Sequence, residues 1–183
     1  GNLPLLVDAD HGYGNALNVR RTVEELETAG VAALTIEDTD LPQRYGTVGS
    51  TRVLPFEEGI GKIKAALSGR QDASLVIAGR TSAASINGLD DAIERGRAYQ
   101  AEGVDAMFFT GVTAEDEVRA VSDALDIPVF LGGPGTGTLG DREFLARHGV
   151  RISLQGHHPF MASVQATYET LKSLRNGKSP EDL

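Results

Sequence analysis

Short runs of apolar, β-favouring residues alternate with stretches of helical periodicity, and the alternation repeats six times. The strand-like runs are Leu3–Asp10, Val31–Asp38, Ser74–Arg80, Ala106–Gly111, Pro128–Gly133 and Val150–Gly156. Several are apolar without interruption, such as Leu5-Leu6-Val7 and Val129-Phe130-Leu131, the pattern of strands buried on both faces of a parallel sheet. Between them, Ala16–Ala29 carries Val19, Val23 and Leu26 at helical spacing, with Gly30 as a stop signal. Thr113-Ala-Glu-Asp116 reads as a helix start, with Val118, Val121 and Leu125 on one face. Leu89–Glu102 and Phe160–Asn176 supply further helices. Six β-then-α units in series predict an α/β fold with a parallel sheet.

A closed (β/α)8 TIM-type barrel needs eight units and usually about 250 residues. With 183 residues and six units, and Gly1-Asn2 leading almost directly into a strand, the chain is expected to cover strands 3–8 of such a barrel. It reads as a single partial barrel domain over residues 1–183, with an intact open wound sheet as the alternative.

Composition narrows the function classes. With 17 Lys+Arg against 26 Asp+Glu, the net charge is −9, and no basic run is present. Nucleic-acid affinity comes largely from neutralising phosphates, so a nucleic-acid partner is not expected. Nothing approaches 18 consecutive apolar residues, so no membrane span is expected either. The chain has no cysteine, which excludes disulfides, thiolate zinc sites and a cysteine nucleophile within it. No charged-then-apolar leader opens it, and a cytoplasmic protein is the expectation.

The candidate chemistry lies at strand ends. The first strand closes Val7-Asp8-Ala9-Asp10-His11-Gly12-Tyr13-Gly14-Asn15, and strand alternation predicts that Asp8 and Asp10 share a face. Glu37 ends the next strand, one unit further round. In α/β folds the reaction site sits at the C-terminal strand ends, so three carboxylates are expected to converge there. Carboxylates about 5 Å apart repel by roughly 3 kcal/mol per pair at an effective dielectric near 20. A divalent cation relieves that cost, and an all-oxygen donor set favours Mg²⁺ or Mn²⁺ over Zn²⁺. Helix capping or pairing with arginines is the competing role for the same side chains.

Asp8-Ala-Asp-His-Gly-Tyr-Gly-Asn15, then Ile36-Glu-Asp-Thr39, then Ile77-Ala-Gly-Arg-Thr81 resembles the isocitrate lyase/phosphoenolpyruvate mutase superfamily over essentially the whole chain. The resemblance implies a Mg²⁺-dependent enzyme acting on a 2-oxo acid or its enolate. It implies that Asp8 is the direct metal ligand, that Asp10 and Glu37 are ligands acting mainly through water, and that Arg80 holds a substrate carboxylate. Carbon–carbon lyases of the superfamily carry a Lys-Lys-Cys-Gly-His loop with a catalytic cysteine, where this chain has Leu41-Pro-Gln-Arg-Tyr-Gly46. That departure argues against isocitrate or methylisocitrate cleavage by the usual route. The Leu-Pro-Gln stretch, Ala78–Ser82 and Gln155-Gly-His-His-Pro-Phe160 most resemble the oxaloacetate decarboxylase branch.

On that resemblance the expected partner is a small 2-oxo dicarboxylate, and the expected reaction is decarboxylation of oxaloacetate to pyruvate through a metal-stabilised enolate. Arg80 suits bidentate grip of a carboxylate, with an ordinary salt bridge as its other reading. Of His157 and His158, adjacent on a segment read as extended, His157 is chosen as the one facing the site, to bind substrate or help protonate the enolate. Tyr13 either closes over substrate or packs, and His11 is read as supporting the carboxylates rather than ligating.

Two further segments are weighed. The glycines of Leu131–Thr138 suggest a phosphate cradle and a sugar-phosphate enzyme, but no Lys or Arg follows until Arg142, which favours a plain turn. Gln43–Thr51 is a candidate lid, with Arg44 and Arg52 read as solvated charges. Another superfamily lyase (phosphonopyruvate-acting or 2-methylisocitrate lyase-like) and a catalytically silent dicarboxylate-binding barrel are the alternative functions. The resemblance also implies a homotetramer in which the last helix, Phe160–Asn176, swaps between subunits.

Overall fold

A computed structural model describes residues 2–42, 45–46, 51–133, 140–154 and 156–183. Six strands form one sheet: β1 (Leu6–Asp8), β2 (Ala33–Glu37), β3 (Val76–Thr81), β4 (Ala106–Thr110), β5 (Val129–Gly132) and β6 (Val150–Leu154). Their spatial order is β1-β2-β3-β4-β5-β6, and every neighbouring pair is parallel. A doubly wound sheet reverses its strand order at a switch point, whereas strictly sequential order is the signature of a barrel wall. The open-sheet alternative is thereby set aside, and all C-terminal strand ends share one rim.

Helices α1 (Ala16–Thr28), α2 (Phe56–Gly69), α3 (Ala83–Ile86), α4 (Leu89–Glu102), α5 (Glu115–Ala124), α6 (Arg142–Arg147) and α7 (His158–Arg175) connect or follow the strands. Alternation splits the apolar residues into two cores. One face of the sheet (Leu34, Ile36, Ile77, Met107, Phe109, Val129, Leu131) packs against Val19 and Val23 of α1, Ile63 and Ala66 of α2, Tyr99 of α4 and Val118 and Val121 of α5. The other face carries a separate cluster of Ala78, Ala106, Phe108 and Phe130, flanked by Leu6 and Ile152. Register places Glu37, Arg80, Phe108, Phe130 and Ile152 in one row across that second face, so the charged end of the row and its apolar end are continuous.

Every sequence-predicted strand is present, each shorter than predicted, although β3 runs one residue past its predicted end to Thr81, and Leu89–Glu102 is helical over its whole predicted span. Two local expectations are corrected. β1 stops at Asp8, and Asp10 takes a positive φ of 46°, so Asp8 and Asp10 are not related by strand alternation. The cause is local: the Asp8 Oδ1 accepts a hydrogen bond from the Asp10 N–H at 3.1 Å, which bends the chain out of the sheet. The His157-His158 pair is not extended either, because Gly156 turns at φ 69° and α7 begins at His158, with Pro159 in its first turn.

Candidate functional site at the carboxylate rim

The turn after β1 places Asp10, His11 and Tyr13 at the rim. It is shaped by positive φ at Asp10, Gly12, Tyr13 and Gly14, and Gly12 is sterically required, since a Cβ there would lie 2.5 Å from Val19 Cγ2. Asn15 closes the turn by capping α1, accepting from the Leu17 N–H at 2.9 Å while Asn18 Oδ1 accepts from the Asn15 N–H at 3.2 Å. The Glu37 N–H donates to the Asp10 carbonyl at 2.8 Å, which stitches this turn to the end of β2.

Three of the predicted residues are brought into contact. Arg80 is the register partner of Glu37 on β3. Its Nη1 donates to Asp8 Oδ2, and its Nε lies 3.2 Å from Glu37 Oε2 as an ion pair without hydrogen-bond alignment. The guanidinium also lies over the Phe108 ring, 5.0 Å from its centroid. Asp8 Oδ1 additionally accepts from the Thr35 hydroxyl at 3.3 Å. Glu37 is only 5% exposed, and burial pushes its carboxyl above the usual range against the pull of Arg80, with Asp8 and Asp10 adding in the same upward direction. Asp10 itself is exposed. Asp8 and Glu37 therefore share one guanidinium at this end of the sheet, with Asp10 on the adjoining turn.

Among the described residues no three such groups are close enough together to form a ready cation cage. Arg80 stands between Asp8 and Glu37 and takes that place. The donor set nonetheless fits a hard divalent ion: it is all oxygen and carries more negative charge than Arg80 alone offsets.

Other predicted residues fall elsewhere. Tyr13 is 57% exposed and meets His11 edge-on, with ring centroids 6.1 Å apart. His157 is exposed at the start of α7, beyond β6, at the opposite edge of the sheet from β1. No hydrogen bond or ion pair among the described residues joins its side chain to Asp8, Glu37 or Arg80. Arg52 pairs with Asp40 at 3.1 Å. Gln43, Arg44, residues 47–50 of the candidate lid, most of the glycine-rich segment (134–139) and Gln155 lie outside the described residues.

Two buried cationic groups near the rim were not singled out from the sequence. Lys62 on α2 donates from Nζ to the His11 carbonyl at 2.9 Å, and burial lowers its pKa. Burial, followed by Lys62, also lowers the pKa of His11, against the opposing effect of Asp10. Arg95 on α4 pairs with Asp38. Their signal was in the spacing: Gly59, Lys62, Ile63 and Ala66, and likewise Ala92, Arg95, Gly96 and Tyr99, fall on single buried helical stripes.

A sequential parallel sheet with its acidic side chains gathered on one C-terminal rim defines the class: an α/β-barrel protein with a rim site. Residues 1–175 match the family model described as phosphoenolpyruvate phosphomutase, and the chain belongs to that family. An oxaloacetate decarboxylase of Bradyrhizobium sp. (strain ORS 278) is 58% identical over 181 residues, which is 99% of this chain and 62% of that protein. The chain thus spans less than two thirds of the length of the curated relatives it matches. Among solved structures, phosphonopyruvate hydrolase in complex with oxalate and Mg²⁺ superposes with a TM-score of 0.83 at 31% identity, over 99% of this chain and 64% of that one. Oxaloacetate acetylhydrolase bound to the inhibitor 3,3-difluorooxalacetate does so with a TM-score of 0.83 at 30% identity, over 98% and 63%. Among the described residues no helix is long and apolar enough to cross a membrane.

Proposed function

We propose that this chain supplies the cation- and carboxylate-holding rim of a lyase that decarboxylates oxaloacetate to pyruvate and CO₂. The observation that carries the reading is the Asp8–Arg80–Glu37 cluster beside Asp10 at adjoining strand ends. The 58% identity to an oxaloacetate decarboxylase supports the choice of substrate. Asp8, Asp10 and Glu37 are the groups that would hold a divalent cation, Mg²⁺ or Mn²⁺. Bound there, the cation supplies fixed positive charge where the C2 oxygen of the substrate becomes negative.

The remaining work falls to the chain's own side chains. Arg80, relieved of its carboxylates when the site fills, grips a carboxylate of the substrate with two parallel N–H groups, as a lysine would not. Phe108 backs the guanidinium and keeps that end of the row dry. The bond between C3 and the departing carboxylate breaks, its electron pair forms the enolate of pyruvate, and a proton delivered to C3 completes the product. His157 is the proposed source of that proton or of a hydrogen bond to substrate, and Tyr13 the proposed cover over the substrate. A homotetramer, with α7 contributed to a neighbouring subunit, is part of the same proposal. The full-length protein with Mg²⁺ should release CO₂ and pyruvate from oxaloacetate and stop when EDTA is added. Turnover indifferent to chelation and to Asp8→Ala would end this reading.

The likeness to phosphonopyruvate hydrolase favours one second reading, a related 2-oxo acid with a phosphonate in place of the distal carboxylate. A panel of both substrates at equal concentration separates the two.

A further inference from the structure

Directly after Glu37 comes a second carboxylate that the proposed chemistry does not use. Asp38, Arg95 and Tyr99 are 2%, 4% and 0% exposed. Asp38 Oδ2 accepts from the Tyr99 hydroxyl at 2.7 Å and from Arg95 Nη1 at 3.1 Å. Arg95 also donates from Nη2 to the Leu54 carbonyl at 3.0 Å and from Nε to Asp91 Oδ2 at 3.1 Å. Burying an ion pair with a phenol is a poor route to stability, because apolar side chains of equal volume do as well or better. Asp38 Oδ1 is moreover left without a partner among the described residues. α2 is pressed onto this cluster at Gly59, where a Cβ would lie 2.3 Å from the Tyr99 oxygen.

The cluster's backbone connections run to the site. The Asp38 N–H donates to the Arg80 carbonyl at 3.3 Å, and the Leu54 N–H donates to the Asp38 carbonyl at 2.7 Å. Thr39 and Val53 pair as an antiparallel bridge beside them. Consecutive residues at a strand end point to opposite sides, so fixing Asp38 on the helix side fixes Glu37 on the rim side. We infer that Arg95 and Tyr99 are positioning residues that act through Asp38 to hold Glu37 and Arg80 face to face. The inference rests on the reading of Glu37 as a cation-holding group and Arg80 as a carboxylate-holding group.

The test compares variants of the full-length protein by Mn²⁺ titration calorimetry and by amide hydrogen exchange. Tyr99→Phe deletes one hydroxyl, Arg95→Met deletes the pairing, and Arg95→Lys keeps the charge. Val121→Ala, a truncation in the core of α5, serves as a control for general destabilisation. Tyr99→Phe and Arg95→Met should weaken Mn²⁺ binding about tenfold, the scale on which groups behind ligating carboxylates act. Arg95→Lys should recover part of that loss, and Val121→Ala should bind Mn²⁺ as the unsubstituted protein does. Unchanged binding in Tyr99→Phe and Arg95→Met, or an equal loss in Val121→Ala, overturns the inference. If the unsubstituted protein binds no Mn²⁺, the proposed cation site falls, and exchange at Glu37–Thr39 decides positioning alone. Faster exchange there in Tyr99→Phe than in Val121→Ala supports it, and equal rates overturn it.

Discussion

The two halves of the sheet end differently. Along the site-facing side, the C-terminal ends of β1, β2 and β3 carry Asp8, Glu37 and Arg80, cross-linked by ion pairs. The corresponding ends of β4, β5 and β6 carry Thr110, Gly132 and Leu154, none of them charged. In their place that half contributes the apolar floor of Phe108, Phe130 and Ile152. Charge is gathered on one half and dryness on the other, and the Arg80–Phe108 contact is where they meet. A charge next to low-dielectric surface interacts more strongly than one in water, so Phe108 strengthens the Arg80 pairs at the place where the halves meet.

If the charged half carries the chemistry, Asp8→Ala should have the largest effect. A fall in kcat/KM of at least about a thousandfold is expected, about 4 kcal/mol, with loss of Mn²⁺ binding by calorimetry. Retained turnover would place the chemistry elsewhere on the rim. Arg80→Lys comes next, at roughly a hundredfold in kcat/KM and mainly through KM, because an ammonium replaces a fork. A purely structural Arg80 would instead show its loss in thermal stability at unchanged KM. In the apolar half, Phe130→Ala should cost about 3–5 kcal/mol of unfolding free energy while leaving the Mn²⁺ constant within a few-fold. If Mn²⁺ affinity collapsed along with stability, the two halves would not be separable. The smallest effect belongs to the far edge: His157→Gln should lower kcat by about tenfold, the value of one hydrogen bond to substrate. His158→Gln should leave kcat nearly unchanged, and the reverse ranking would transfer the role to His158.

The strands were legible because parallel strands covered on both faces must be apolar throughout, and runs such as Ile77-Ala-Gly and Val129-Phe130-Leu131 have few other uses. The pairing of Glu37 with Arg80 was half legible: each lay at a strand end, but only the register shows that they are direct neighbours. Asp10 departs from strand alternation because Asp8 captures the Asp10 amide just past the strand, a side-chain event that no periodicity carries. His157 and His158 depart from an extended path for a related reason, since Gly156 turns the chain before them. Lys62 and Arg95 sit on buried helical stripes, where a charged residue is an anomaly that spacing reveals but whose partner spacing cannot name. α7 is the converse case. Phe160, Met161, Val164, Tyr168 and Leu171 are all exposed although they are apolar or aromatic and recur at helical intervals.

The separation of the molecule into two cores, one between sheet and helices and one on the site-facing side, has an evolutionary corollary. Volume-conserving changes around Phe108 and Phe130 would alter the site-facing surface while Leu34, Ile77 and Phe109 keep the helical shell in place. Selection can therefore retune what the rim accommodates without renegotiating the scaffold. A lineage built on this wall would diversify in chemistry faster than in shape.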